Sequence, residues 1–308
     1  MSRATREAYG ETLVELVREG HDIMAVDADL AGSTKLADLQ KAFPKRFVDV
    51  GIAEQDMVGV AAGLSLTGRT VFTGSFAMFA TGRAYDQIRN TVCDSGLNVK
   101  ICPTHAGITV GEDGATHQSL EDIGMMRALP QMRVLVPADY WAAKAALRLA
   151  AEADGPFYVR MGRHKVPEIY DETFKGGVPY ATVLREGSDV TLVACGVEVA
   201  QSLAAADILI QEGISAEVID VFSVKPFDEY AILASAAKTG RVVSVEEHNV
   251  ATGLGAAVAE LLAEKLPTPM RFAGMRTFGT SAPGDVLLSH FGLDGEGIAA
   301  RVREFVLA

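Results

Sequence analysis

The chain is poor in cysteine: Cys93, Cys102 and Cys195 are the only three in 308 residues, with no Cys-x-x-Cys spacing among them. Three thiols cannot all be bridged, so a disulfide framework is excluded and a reducing compartment is expected. Basic residues are also in deficit. Lys and Arg total 28 against 40 Asp and Glu, giving a net charge of −12, and no basic stretch is concentrated anywhere. That balance argues against nucleic acid as a partner. No apolar run approaches a membrane span; the best, Met57 to Leu66, is short and broken by glycines. The start, Met1-Ser2-Arg3-Ala4-Thr5-Arg6-Glu7, lacks the apolar core of a secretory signal. A cytoplasmic protein that engages no membrane is the expectation.

What is present is an ordinary globular balance, 49% hydrophobic and 22% charged, in a length that suits about two domains. Short β-branched runs alternate with longer helical patterns, which predicts α/β architecture with parallel sheets flanked by helices. Helix is expected over 5–19, strands over 21–26, 46–50 and 70–76, and a helix rich in small residues after Glu54. Further strands are expected over 98–102, 133–136 and 156–160, with helices over 85–92, 119–128 and 140–153. Residues 166–187, with Pro167, Gly176, Gly177 and Pro179 among scattered charges, read as an interdomain linker. A second strand–helix alternation follows. The expected division is therefore a domain over 1–165, a linker over 166–187 and a smaller α/β domain over 188–308.

Ligands of parallel α/β sheets bind at the carboxyl ends of the strands, so the polar clusters there matter most. Asp29 to Ser33 follows the first strand, Glu54 the second, and Phe76 and Phe79 the third. The loop from Thr104 to Gln118 follows the fourth and carries His105, Asp113 and His117 among three glycines. Each has a plainer explanation. Glu54 complements the dipole of the helix it opens, Phe76 and Phe79 sit at core spacing, and an arginine is by default a surface charge. His105, His117 and Asp113 lack the helical i, i+4 placement of a zinc pair, and no cysteine stands at ligand spacing, so no metal is expected on this chain. Gly253-Leu254-Gly255 has Val258 where a dinucleotide fingerprint has its third glycine. No Gly-x-Ser-x-Gly elbow supports serine chemistry.

The combination is more specific than its parts. Gly51-Ile52-Ala53-Glu54-Gln55, then Ser75-Phe76-Ala77-Met78-Phe79, then Gly111-Glu112-Asp113-Gly114-Ala115-Thr116-His117-Gln118, in that order, resembles the transketolase family. The likeness covers essentially the whole chain but only the second half of a full-length transketolase. The pyrimidine-binding and C-terminal domains are represented, and the motif that begins the family's diphosphate and magnesium site is absent. The resemblance implies the C-terminal subunit of a split enzyme using thiamine diphosphate. The diphosphate and its Mg2+ or Ca2+ would be held by an N-terminal partner subunit, in an α2β2 assembly; the isolated chain is allowed a homodimer.

By the same resemblance, Glu54 hydrogen-bonds N1′ of the cofactor's aminopyrimidine and favours the tautomer that activates the thiazolium. Phe76 and Phe79 pack on the aminopyrimidine, and Asp29 lies near the thiazolium. A third aromatic is common in the family; here Gly82 holds that position, and the spacing to Arg83 is one residue long. Arg6, Ser33, His105 and Arg163 match the positions that hold the phosphate of sugar phosphates, and guanidinium forks suit that task. Asp113 and His117 match contacts to substrate hydroxyls, with His117 moving protons. Arg160 has no counterpart, and neither Ser244-Val245-Glu246-Glu247-His248 nor Phe278 to Pro283 brings a catalytic role. The reaction implied is transfer of a two-carbon ketol unit. A split deoxyxylulose-phosphate synthase is the nearest alternative, but it typically has Asp-Arg where Thr104-His105 stands. The β subunit of 2-oxoacid dehydrogenases shares the domain order without the Gly-Glu-Asp-Gly-Ala-Thr-His-Gln run. A non-catalytic homodimer is disfavoured by the intact Glu54, His105, Asp113 and His117.

Overall fold

A computed structural model describes residues 1–307. Fourteen strands are present among them: β1 (Ser2–Ala4), β2 (Ile23–Asp27), β3 (Phe47–Asp49), β4 (Thr70–Gly74), β5 (Val99–Ile101), β6 (Arg133–Leu135), β7 (Phe157–Val159), β8 (Lys165–Pro167), β9 (Thr182–Arg185), β10 (Val190–Ala194), β11 (Ala216–Asp220), β12 (Ser223–Lys225), β13 (Val242–Asn249) and β14 (Met270–Met275). They form a seven-stranded sheet, β12-β6-β7-β5-β4-β2-β3, and a five-stranded sheet, β14-β13-β10-β11-β9. All pairings in the first sheet are parallel except β12 on β6, and all in the second except β9 on β11. Central strands such as β2 are buried throughout, which is why Ile23-Met24-Ala25-Val26 reads as a continuous apolar run.

The α/β architecture with parallel sheets is the one expected, with differences at the seams. The 166–187 stretch is not all irregular. It contains most of β8, which pairs antiparallel with β1, and β9, which closes the edge of the second sheet. Strand β12 crosses the other way, leaving the second alternation to finish the edge of the first sheet. Lys225 on it donates from Nζ to the Arg127 carbonyl at 2.9 Å. The apolar core runs across this seam, with Met57, Ile101 and Tyr158 in one cluster with Val193, Ile219 and Ile232. The helix expected over 119–128 is confined to Asp122–Arg127. Among the described residues, no helix is long and apolar enough to cross a membrane.

In the first sheet the chain passes from β2 out to β3 and then back to β4 on the other side of β2. The strand order therefore reverses between β2 and β4. Loops leaving the carboxyl ends of two such strands diverge and leave a crevice, the usual ligand site of an open parallel sheet.

Candidate active site

Glu54 is the first residue of the helix Glu54–Ser65. A carboxylate there complements the helix dipole, but this one is turned inward and only 1% exposed. Ser75, just past β4, donates from Oγ to Glu54 Oε1 at 3.2 Å, and Arg83 donates from a guanidinium nitrogen to Oε2 at 2.6 Å. Arg83 reaches back because residues Met78–Arg83 and Gln87–Asp94 are wound as π-helix. A π turn accommodates one residue more than an α turn, which accounts for the long spacing between Phe79 and Arg83. The Arg83 guanidinium also lies over the Phe79 ring, 4.7 Å from its centroid.

Aromatic rings continue from that point. Phe79 and Phe76 stack with centroids 6.3 Å apart, and His117 meets Phe79 edge-on at 5.2 Å. Phe76 in turn stacks on His105 at 3.8 Å. Gly82, where an aromatic is common in the resembling family, adds no ring. A buried carboxylate beside a partly exposed aromatic face is the donor–acceptor and stacking set that a flat, nitrogen-bearing ring requires. On that test the residues fit an aminopyrimidine. Among the described residues, no group of three or more His, Cys, Asp or Glu is arranged to hold a metal.

At the far side of His105 lies a concentration of positive charge. An Arg6 guanidinium nitrogen is 3.0 Å from the Ser33 carbonyl and 3.1 Å from His105 Nε2, and Arg6 Nε is buried with no partner among the described residues. Burial, and then the Arg163 charge, hold Arg6 below its usual proton affinity. Burial also pushes the His105 imidazole down to about 3, with Arg6 and Arg163 adding to the effect. Arg6, Ser33, His105 and Arg163 are therefore brought to one locus. Two guanidiniums meet there, one with an unused donor, a set chemically able to pair with an anion. Arg163 meets carboxylates of the 104–118 loop meanwhile, Asp113 Oδ2 at 3.2 Å and Glu112 Oε2 at 3.4 Å.

Because the folded His105 resists a proton that the unfolded chain accepts near the usual 6.5, its contribution to stability is full above that value. It is lost as the pH falls from there toward about 3. His105→Gln is therefore expected to be less sensitive than the parent to a drop from about pH 7 to about pH 4.5, read as the shift in urea midpoint between the two.

Asp29 joins the site less directly. It is exposed, sits at φ +61°, and its backbone N–H donates to Asp49 Oδ1, which also accepts from the Gly51 N–H. Asp49 thus couples the loop after β2 to the turn that delivers Glu54. Asp27 anchors the same loop, accepting from the Leu30 N–H and the Thr34 hydroxyl; burial pushes this carboxyl up to about 7. Among the described residues, no hydrogen bond joins the Asp29 side chain to Glu54. Ser75, Arg83 and Asp49 carry no sequence signal beyond their neighbourhood; only the extra residue before Arg83 hints at its turn. Arg160 is buried, its Nε donating to Asp122 Oδ2 at 2.7 Å.

Comparison with known proteins gives one family for both sheets. The family model for the transketolase pyrimidine binding domain matches residues 1–168, and that for the transketolase C-terminal domain matches 179–298. The chain is 48% identical over 308 residues to a putative transketolase C-terminal section of Methanocaldococcus jannaschii, covering 98% of this chain and 96% of that one. It is 42% identical over 300 residues to a 6-deoxy-6-sulfo-D-fructose transketolase subunit of a Clostridium species, covering 97% and 93%. A solved structure described as a split gene transketolase, inactive beta4 tetramer, superposes with a TM-score of 0.91 at 48% identity, covering 99% of this chain and 98% of that one.

Proposed function

The chain belongs to the transketolase family as a C-terminal section with both of its domains, and we propose that it is the C-terminal subunit of a two-subunit, thiamine-diphosphate-dependent transketolase moving a two-carbon ketol unit between anionic sugars. The observation that carries this reading is one chain of contacts: buried Glu54, Arg83 joining it to the Phe79 and Phe76 rings, then His105, and Arg6 beyond. Its ends suit the two ends of the chemistry, a ring nitrogen at one and a substrate anion at the other. In this reading residues 1–165 form the pyrimidine-binding unit and 188–308 the C-terminal domain, joined through 166–187.

Bound thiamine diphosphate supplies an electron sink for carbon–carbon cleavage. Glu54 would hydrogen-bond the pyrimidine N1′, and Phe76 and Phe79 would pack on that ring. Asp29, matching a family residue near the thiazolium, would lie at the edge of that ring. His117 and Asp113 hold the sugar hydroxyls, His117 taking part in proton movement. Arg6, Ser33, His105 and Arg163 clamp the terminal anion, for which a phosphate, mostly dianionic near neutral pH, and the singly charged sulfonate of the clostridial relative's sugar are the candidates. The diphosphate and its Mg2+ or Ca2+ fall to the N-terminal partner in an α2β2 complex, because this sequence has no motif for them. The inactive tetramer described for the 48% identical structure favours a self-associated, inactive state for the isolated chain. Three buried free cysteines suit a reducing cytoplasm.

The test is to produce the chain alone and together with an N-terminal transketolase subunit from the same organism. Each preparation is assayed with a ketose phosphate, a sulfonated ketose and hydroxypyruvate as donors. Ketol transfer and α2β2 mass are expected only from the pair. Robust transfer by this chain alone would overturn the split-subunit reading, and a cofactor-saturated α2β2 complex inert toward every donor would overturn the activity.

A further inference from the structure

The 104–118 loop holds three of the residues assigned to substrate, yet much of its anchorage comes from the second domain. Gly107, Gly111 and Gly114 all have positive φ, so the loop's own backbone is among the most permissive in the chain. Something else must fix it. Glu247 on β13 is 4% exposed, and its Oε2 accepts from the Thr109 N–H at 3.1 Å and from the Thr109 hydroxyl at 2.8 Å. A Cβ built at Gly107 would run into the same carboxylate, so the loop lies directly against it. Farther along, Ser281 donates to the Glu112 carbonyl at 2.6 Å and Gln118 Nε2 to the Thr280 carbonyl at 2.9 Å.

The anchor itself is fixed. Arg160, on the strand end of the first domain, bonds Asp122 at 2.7 Å and lies 3.5 Å from Glu247 Oε1. The same guanidinium donates to the Glu247 carbonyl at 3.3 Å. In the second sheet, β11 lies on one side of β10 and β13 on the other, so Glu247 stands near that sheet's own switch point. The crevice where a second ligand would bind is filled instead by Thr109 and Arg160 of the first domain, leaving a cavity of about 20 Å³ lined by both and by Gly196.

We propose that Glu247 is a positioning residue for ketol transfer: by gripping Thr109 it fixes, from the second domain, the loop that carries His105, Asp113 and His117. This rests on the assignment of those three residues to substrate. Arg160 is the counter-charge that keeps the grip ionic, which gives the buried arginine of β7's end a task. The C-terminal domain thereby acts on substrate without touching it.

The experiment compares Thr109→Val, which keeps the shape and deletes the hydroxyl donor, with Thr109→Ser, which keeps the donor; Glu247→Gln is the partner variant. Backbone hydrogen exchange is followed over residues 107–118 in the full chain, and donor kinetics in the reconstituted complex. Losing a hydrogen bond to a charged acceptor should speed exchange in Thr109→Val and Glu247→Gln by about tenfold to a hundredfold, locally. KM for the anionic donor should rise several-fold, with a smaller change in kcat and a nearly unchanged melting temperature for Thr109→Val. Thr109→Ser should behave like the parent in all three. Unchanged exchange in Thr109→Val, or loosened exchange with parental kinetics, overturns the proposal. So does Thr109→Ser as impaired as Thr109→Val. An inert parental complex would instead indict the substrate assignment, and the exchange result decides the grip by itself.

Discussion

Glu54→Gln is expected to reduce turnover of the reconstituted complex by about 10²–10⁴-fold at saturating cofactor, the range for loss of a group that handles a proton in the transition state. Glutamine keeps the size of the side chain and can still accept from Ser75, but it carries no exchangeable acid proton. The fold should survive, because the pairing lost is the one with Arg83, whose side chain is 48% exposed and therefore screened by solvent. Circular dichroism and the melting temperature would confirm an intact chain while turnover is measured. The competing explanation, that Glu54 only neutralises a helix end, predicts a stability change of a few tenths of a kcal/mol to about 1 kcal/mol and near-normal turnover. Inward orientation is the feature that the dipole explanation leaves without a cause. A carboxylate serving the dipole alone gains nothing from being withdrawn from water, whereas this one is buried against Ser75 with its second oxygen held by Arg83.

Much of this arrangement is legible in the sequence for a physical reason. Strands buried on both faces, such as β2 and β10, leave uninterrupted apolar runs, and the helices between them leave amphipathic or small-residue patterns. Candidate residues at strand ends could be named because parallel sheets present those ends together. The seams were not legible. Strands β1 (Ser-Arg-Ala), β8 (Lys-Val-Pro) and β12 (Ser-Val-Lys) each hold a lone alanine or valine beside polar residues or proline, so no apolar run marks them, and β12's partner lies nearly 90 residues earlier in the chain. Arg160 reads as a surface charge at the end of an apolar strand; only the positions of Asp122 and Glu247, remote in sequence, make it a buried one. Burial pushes Asp122 up, but Arg160 outweighs it and holds this carboxyl below its ordinary range. Arg83 is a similar case. One extra residue is visible in the sequence, but its consequence, a π turn that returns a guanidinium to Glu54, is a property of the backbone.

The Arg6–Arg163 pocket carries the second large effect, and it discriminates among donors. Arg6 brings an unused buried donor, and Arg163 is held only by two loop carboxylates, one of which, Asp113, is assigned to a sugar hydroxyl. A substrate anion would therefore take over the guanidinium from an internal carboxylate and return Asp113 to the sugar. One charge-assisted bond is worth about 1.5–3 kcal/mol, so Arg163→Ala should lower kcat/KM by about tenfold to a hundredfold. Arg6→Ala with Arg163→Ala, two such bonds, should approach 10²–10⁴-fold if the two act independently. Because the guanidiniums repel each other, the measured double loss should fall short of that product. The loss belongs to anionic sugars alone. Hydroxypyruvate has no terminal anion at the distance of a sugar phosphate, so its kcat/KM in both variants should stay within about threefold of the parent. Assays of each variant with both donors and one small aldehyde acceptor decide the matter. Equal losses with both donors would assign Arg6 and Arg163 to holding the helix Glu7–Arg18 against the 104–118 loop, and the anion-clamp assignment would fall with that result.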